Sequence, residues 1–161
     1  MANPAGASTQ VSNVTVSGTV AAVFVVDPAP QTAPRYAIKA VDNEFVSVLA
    51  DSKLIPNSAT VAGANQVFEI GSNGDGTLYV KSHGNGLYCQ AIAAAADVTC
   101  DAVAVSSGAA KWTRIDHADG RVSFKNQGTA GHLVSEGGGS QVLKANRANT
   151  SDWEKFTLAP Q

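Results

Sequence analysis

Two tryptophans stand near groups that hold hydroxyl-rich ligands. Trp153 follows Asp152, with Glu136, Asn146 and Arg147 just upstream; Trp112 follows Gln90, Asp101 and Lys111. A pyranose ring has an apolar C–H face and a rim of hydroxyls. Its receptor needs an aromatic platform beside a few carboxylate, amide or guanidinium groups. Glu136 also precedes Gly137-Gly-Gly139, where missing side chains would let a ligand approach the backbone. Each residue has a plainer reading beside this one. Both tryptophans could close a core, as large aromatics are mostly buried, and Glu136 could be a solvated surface carboxylate.

Other chemistries find little support. There is no Gly-x-Ser-x-Gly elbow, and the triple glycine lacks the Lys-Ser/Thr of a phosphate loop. His83, His117 and His132 are scattered near turns. The two cysteines have no His/Cys partners at zinc-ligand spacing, so no metal or cofactor is expected. A glycosidase needs two carboxylates facing across a cleft. Glu136 and Glu154 are the one pair to consider, and the fold inferred below offers no deep cleft. The chain reads as a binding protein, not an enzyme.

Composition narrows the partners. Of 161 residues, 15% are charged and 44% hydrophobic, the balance of a folded domain. A net charge of −2 without a basic cluster argues against nucleic acid. The longest apolar run, Val20 to Val26, falls far short of the roughly 18 residues of a membrane span. Met1-Ala-Asn-Pro4 lacks the basic region of a secretory signal, so the chain is either cytosolic or a fragment of a longer exported protein, and the fragment is preferred.

The elements that must position these residues recur in three copies. Each copy opens with a strand ending in lysine: Tyr36-Ala-Ile38-Lys39, Leu78-Tyr-Val80-Lys81 and Val122-Ser-Phe124-Lys125. A polar turn and a second apolar stretch follow: Phe45-Val-Ser47, Leu87-Tyr-Cys89 and Leu133-Val-Ser135. Closing signals are Gln66-Val-Phe68, Thr113-Arg-Ile115 and Glu154-Lys-Phe156. A period of about 40 residues marks a repeat architecture. Three copies built of short strands close a β-trefoil. The expected organisation is an all-β trefoil over 35–161, with pseudo-repeats near 35–76, 77–120 and 121–161. Gly76 and Gly120 mark the boundaries, and the lysines are expected merely to flank turns.

Residues 1–34 form an N-terminal extension. Val11 to Val26 suggests one or two strands, expected to pair with the trefoil, a partner domain or a second copy. Asp27-Pro-Ala-Pro30 reads as a rigid extended connector. Ala91 to Ala96 is too short for a stable helix and reads as a hairpin loop. A hairpin turning there would bring Cys89 and Cys100 within disulfide reach; the alternative is two buried thiols.

The third copy carries the clearest signature: Gly131-His-Leu-Val-Ser-Glu136, Val142-Leu-Lys-Ala-Asn-Arg147 and Asp152-Trp-Glu-Lys-Phe-Thr-Leu158. It resembles the fascin-like β-trefoil pattern, and the resemblance spans roughly Tyr36 to Leu158. Repeat two keeps the pattern in part, and repeat one, with Asn65 in place of tryptophan, is most eroded. The resemblance implies one of two roles. One is a carbohydrate-binding module appended to a glycan-degrading enzyme, extracellular as part of a larger protein, with a β-glucan as first ligand. The other is an actin-binding interaction trefoil. On the first, Trp153, Glu136, Asn146, Arg147 and Asp152 form the main site. Trp112, read in the same register as Trp153, joins Gln90 and Asp101 in a second.

Overall fold

The computed structural model describes residues 10–16, 19–25, 32–137 and 141–161. The expected Asp27–Pro30 connector and Gly138-Gly139 lie outside them. Two compact units are present, residues 1–32 and 33–161. In the first, β1 (Gln10–Val16) and β2 (Thr19–Val25) form an antiparallel hairpin from Gln10↔Val25 to Val16↔Thr19.

The second unit contains twelve strands in three sets of four. Repeat one holds β3 (Arg35–Lys39), β4 (Phe45–Val48), β5 (Leu54–Ser58) and β6 (Phe68–Ser72). Repeat two holds β7 (Leu78–Ser82), β8 (Tyr88–Gln90), β9 (Thr99–Ala102) and β10 (Trp112–Asp116). Repeat three holds β11 (Val122–Asn126), β12 (His132–Val134), β13 (Lys144–Arg147) and β14 (Thr157–Pro160). The outer strands of each set close a ring: β3 pairs β6, β6 pairs β7, β7 pairs β10 and β10 pairs β11. A Val122↔Phe156 bridge and the β14–β3 ladder complete it. Closure leaves this ring without an open edge. The inner strands form hairpins β4–β5, β8–β9 and β12–β13, each with a register shift at the same place, Phe45/Val46, Tyr88/Cys89 and His132/Leu133.

Three backbone bonds tie the hairpins around the pseudo-threefold axis. Leu54 N–H donates to Val98 O at 3.2 Å, Val98 to Leu143 at 2.8 Å, and Leu143 back to Leu54 at 2.8 Å. The core repeats likewise, in buried triplets Ile38/Val80/Phe124, Leu54/Val98/Leu143 and Phe68/Trp112/Phe156. This is a β-trefoil.

The last triplet corrects the register of the closing signals. Trp112, not Ile115, is the repeat-two counterpart of Phe68 and Phe156. Ile115 is 36% exposed, at the far end of β10. Gly76 and Gly120, at φ of 84° and 80°, occupy the β6–β7 and β10–β11 turns, a conformation that favours glycine. Cys89 and Cys100, opposed across β8–β9, are joined by a disulfide.

Candidate functional site

The site grows from the end of β12. There the buried Ser135 donates its N–H to the Trp153 carbonyl at 2.9 Å, fastening the hairpin to a 3-10 turn at Asp152–Glu154. The turn forms because Ser151-x-x-Glu154 is a capping pair. Glu154 Oε2 accepts from the Ser151 N–H at 2.6 Å and from its hydroxyl at 2.7 Å. Glu154 is 3% exposed, and these bonds offset the cost of burying its charge. Trp153 is left facing outward at 43% exposure. The turn, not strand alternation, exposes it, since β14 begins only at Thr157.

A second brace comes from the β10–β11 turn. Arg121 Nη2 binds Asp119 Oδ2 at 2.8 Å and Asp152 Oδ1 at 2.7 Å, and Lys155 Nζ lies 3.5 Å from Asp119. Hydrogen bonding to Arg121 holds the Asp119 carboxyl down at about 2. Both flanks of Trp153 are therefore tied down.

Trp153 and Glu154, with Arg147, Asn149, Thr150 and Ser151, line an open groove of about 420 Å³. Arg147 ends β13. Its Nη2 is 2.8 Å from Glu136 Oε1 and its Nε 3.9 Å from Glu154 Oε1. The groove thus offers an indole surface, a guanidinium framed by two carboxylates, and short hydroxyl and amide side chains.

The expected residues divide. Trp153 and Arg147 line the groove, and Glu136 joins it through Arg147. Asp152 is spent on Arg121, and Asn146 is exposed on β13. The second site expected in repeat two does not assemble. Trp112 is 2% exposed, and its indole N–H donates to the Cys89 carbonyl at 3.1 Å. It is a core residue with its one polar atom satisfied. The counterpart of Trp153 is Ala109, in the 3-10 turn Gly108–Ala110. Gln90 and Asp101 bond each other at 2.8 Å across β8–β9, and Thr99 donates to the same Asp101 oxygen at 2.9 Å.

Asn149, Thr150 and Ser151 were not anticipated, nor was the Arg121 brace. The Ser-x-x-Glu spacing at 151–154 signals the turn; the brace joins residues 31 positions apart and leaves no local trace. The recurring lysines do more than flank turns. Lys39 Nζ lies 5.6 Å from the Phe45 ring centre and Lys81 Nζ 5.2 Å from that of Tyr88. In repeat three, Lys125 instead pairs with buried His132, and burial and that lysine lower the imidazole pKa. Among the described residues no helix is long and apolar enough to cross a membrane, and no His/Cys/Asp/Glu group could hold a metal.

No protein-family model matches the chain, and no curated protein matches its sequence. Solved structures do resemble it. The β-trefoil protein BEL is 12% identical, with 83% of this chain and 97% of that one aligned at a TM-score of 0.67. A GlcNAcα1-4Gal-releasing endo-β-galactosidase from Clostridium perfringens is 19% identical over 80% of this chain, at 0.67. An exo-β-1,3-galactanase from Clostridium thermocellum is 10% identical over 90%, at 0.71. The match spans only 32% of each of these two enzymes' chains. At these identities the likeness is one of fold: the chain is similar to trefoils that stand alone and to parts of much larger chains.

Proposed function

We propose that this protein is a non-catalytic carbohydrate-binding module whose ligand site is the repeat-three groove. The carrying observation is Trp153: a half-exposed indole on a turn braced from both sides, beside the Arg147 guanidinium and small polar side chains. An aromatic face beside preoriented donors and acceptors is the surface a sugar ring needs, and bracing limits the ordering cost of binding. Catalysis is disfavoured by the same geometry. Glu136 and Glu154 are both engaged with Arg147, and Glu154 is buried.

On this reading residues 35–161 are the module, 1–34 an extension, and a covalently linked glycan-active enzyme the natural partner. The endo-β-galactosidase and the exo-β-1,3-galactanase, with similar trefoil regions, support that arrangement. The ligand is a polysaccharide, with a β-glucan tested first. The Cys89–Cys100 disulfide suits an extracellular location.

Native affinity gels cast with soluble neutral polysaccharides test the proposal. At least one should retard the protein, and Trp153→Ala should weaken that binding about ten- to hundred-fold, the cost of losing a stacking hot spot. Absence of retardation by every glycan, with co-sedimentation on filamentous actin, would instead favour the fascin-like interaction reading.

A further inference from the structure

We infer that Glu136 sets the charge class of the ligand, occupying Arg147 so that the groove takes neutral glycans and rejects anionic ones; this rests on the carbohydrate reading above. An exposed arginine beside an aromatic would ordinarily attract carboxylates, because the guanidinium fork matches them in bidentate geometry. Here one arm of the fork is already hydrogen-bonded to a carboxylate and Nε faces a second. Glu136 Oε1 sits 2.8 Å from Nη2, and Glu154 Oε1 lies 3.9 Å from Nε.

The other cations of the ion pairs around Trp153 are taken as well. Arg121 is bound to Asp119 and Asp152, and Lys155 to Asp119. The ion pairs around Trp153 thus join four carboxylates (Glu136, Glu154, Asp119 and Asp152) to three cations (Arg147, Arg121 and Lys155). An incoming uronate would meet carboxylates that outnumber the cations of these pairs and would have to compete with Glu136 for the guanidinium.

Glu136 is held where it can do this. Its neighbour Ser135 is buried and bonded to the Trp153 carbonyl, so the carboxylate is anchored at the groove's edge by the bond that anchors the indole. Glu136 does not line the groove, and among the described residues its side-chain partner is Arg147. That is the placement of a specificity-determining residue that acts through another.

The test uses the full chain in affinity gels with a neutral β-glucan, further neutral polymers, polygalacturonate and alginate, at low and moderate salt. Wild type should be retarded by a neutral polymer and not by the polyuronates. Glu136→Gln keeps the shape and removes the charge. It should bind a polyuronate at least about tenfold more tightly than wild type does, and salt should reverse the gain by screening the freed guanidinium. Adding Arg147→Gln should erase the gain. Wild-type binding to polyuronates, or no gain in Glu136→Gln while neutral binding is present, overturns the inference and leaves the carbohydrate reading standing. If neither protein binds any polymer, both fall.

Discussion

The hairpins of repeats two and three share a backbone and differ in almost everything it presents. Both have the same register shift before their central core residue, Cys89 or Leu133. Both are fastened to a 3-10 turn by one bond at 2.9 Å, Ala91 N–H to Ala109 O in one and Ser135 N–H to Trp153 O in the other. Following that register, Glu136, Arg147 and Trp153 in repeat three correspond to Ile92, Ala102 and Ala109 in repeat two. Ile92 is 70% exposed and the adjoining Val103 85%, where repeat three carries its ion pair. Inside, repeat two is cross-linked by Cys89–Cys100, whereas repeat three opposes Leu133 and Ala145 at the same positions. Scaffold and site are therefore separable. Interior triplets and turn bonds fix the fold, and the solvent-facing chemistry of each lobe varies freely upon it.

The strongest challenge to that division compares the two tryptophans. Trp112→Ala should cost about 3–5 kcal/mol, because it opens a cavity in a fully buried triplet. Trp153→Ala should change stability by less than about 1 kcal/mol, the scale of exposed substitutions. Urea unfolding of both variants gives the answer, and similar losses would mean that Trp153 is structural. Next comes the cross-link. Replacing Cys89 and Cys100 with the Leu and Ala of repeat three keeps both positions apolar and removes the covalent tie. A loss of about 2–4 kcal/mol is expected. A double variant as stable as wild type would show that hairpin packing alone suffices.

The same division explains what could be read from the sequence. Interior positions obey the threefold constraint, so Ile38/Val80/Phe124 and the lysines beside them stand out as a repeat, and the trefoil follows. Surface positions obey no such constraint. Trp112 and Trp153 look alike as letters, but they lie three residues out of register, one facing the core and the other solvent. Trp153 belongs to a 3-10 turn and Trp112 to the strand that follows the equivalent turn, a difference that matching the two tryptophans by type does not reveal. Glu136 and Arg147 were legible as site residues but their mutual bond was not, since it depends on how β12 and β13 come together. The Arg121 brace, reaching from another turn, was hidden for the same reason.

If the backbone is equivalent, the site should be transplantable. Ile92→Glu, Ala102→Arg and Ala109→Trp together place the repeat-three trio on the repeat-two lobe. Affinity for a short oligosaccharide should stay near the wild-type value per site. Retention on a polymer should rise by about tenfold or more through bivalent engagement. Calorimetry on the oligosaccharide beside polymer pull-down measures both. A folded variant with no gain on polymer would show that the bracing of Trp153 by Arg121 and Asp152, absent from the transplant, is indispensable.

The smallest expected effect sharpens the comparison through pH. Where repeats one and two place Phe45 and Tyr88 beside a lysine, repeat three places His132. Burial, then the charges of Lys125 and His117, lower its pKa below 6.5, and Glu154 opposes them only in part. A histidine with a depressed folded pKa stays neutral in the fold while the unfolded chain takes up a proton. Stability should therefore be full above about pH 6.5 and decline as pH falls below it, since the unfolded state then binds more protons. Asp119 acts in a separate window. Its carboxyl is depressed to about 2, so its contribution is present above the ordinary carboxylate range and is lost only as pH falls through that value. His132→Phe copies the residue of repeat one and should flatten the decline between pH 7.5 and 5 while leaving the steep loss below pH 4. Urea midpoints across that range, for wild type and variant, decide it. An unchanged slope in the variant would assign the acid sensitivity elsewhere and make the third lobe's interior no different from the others.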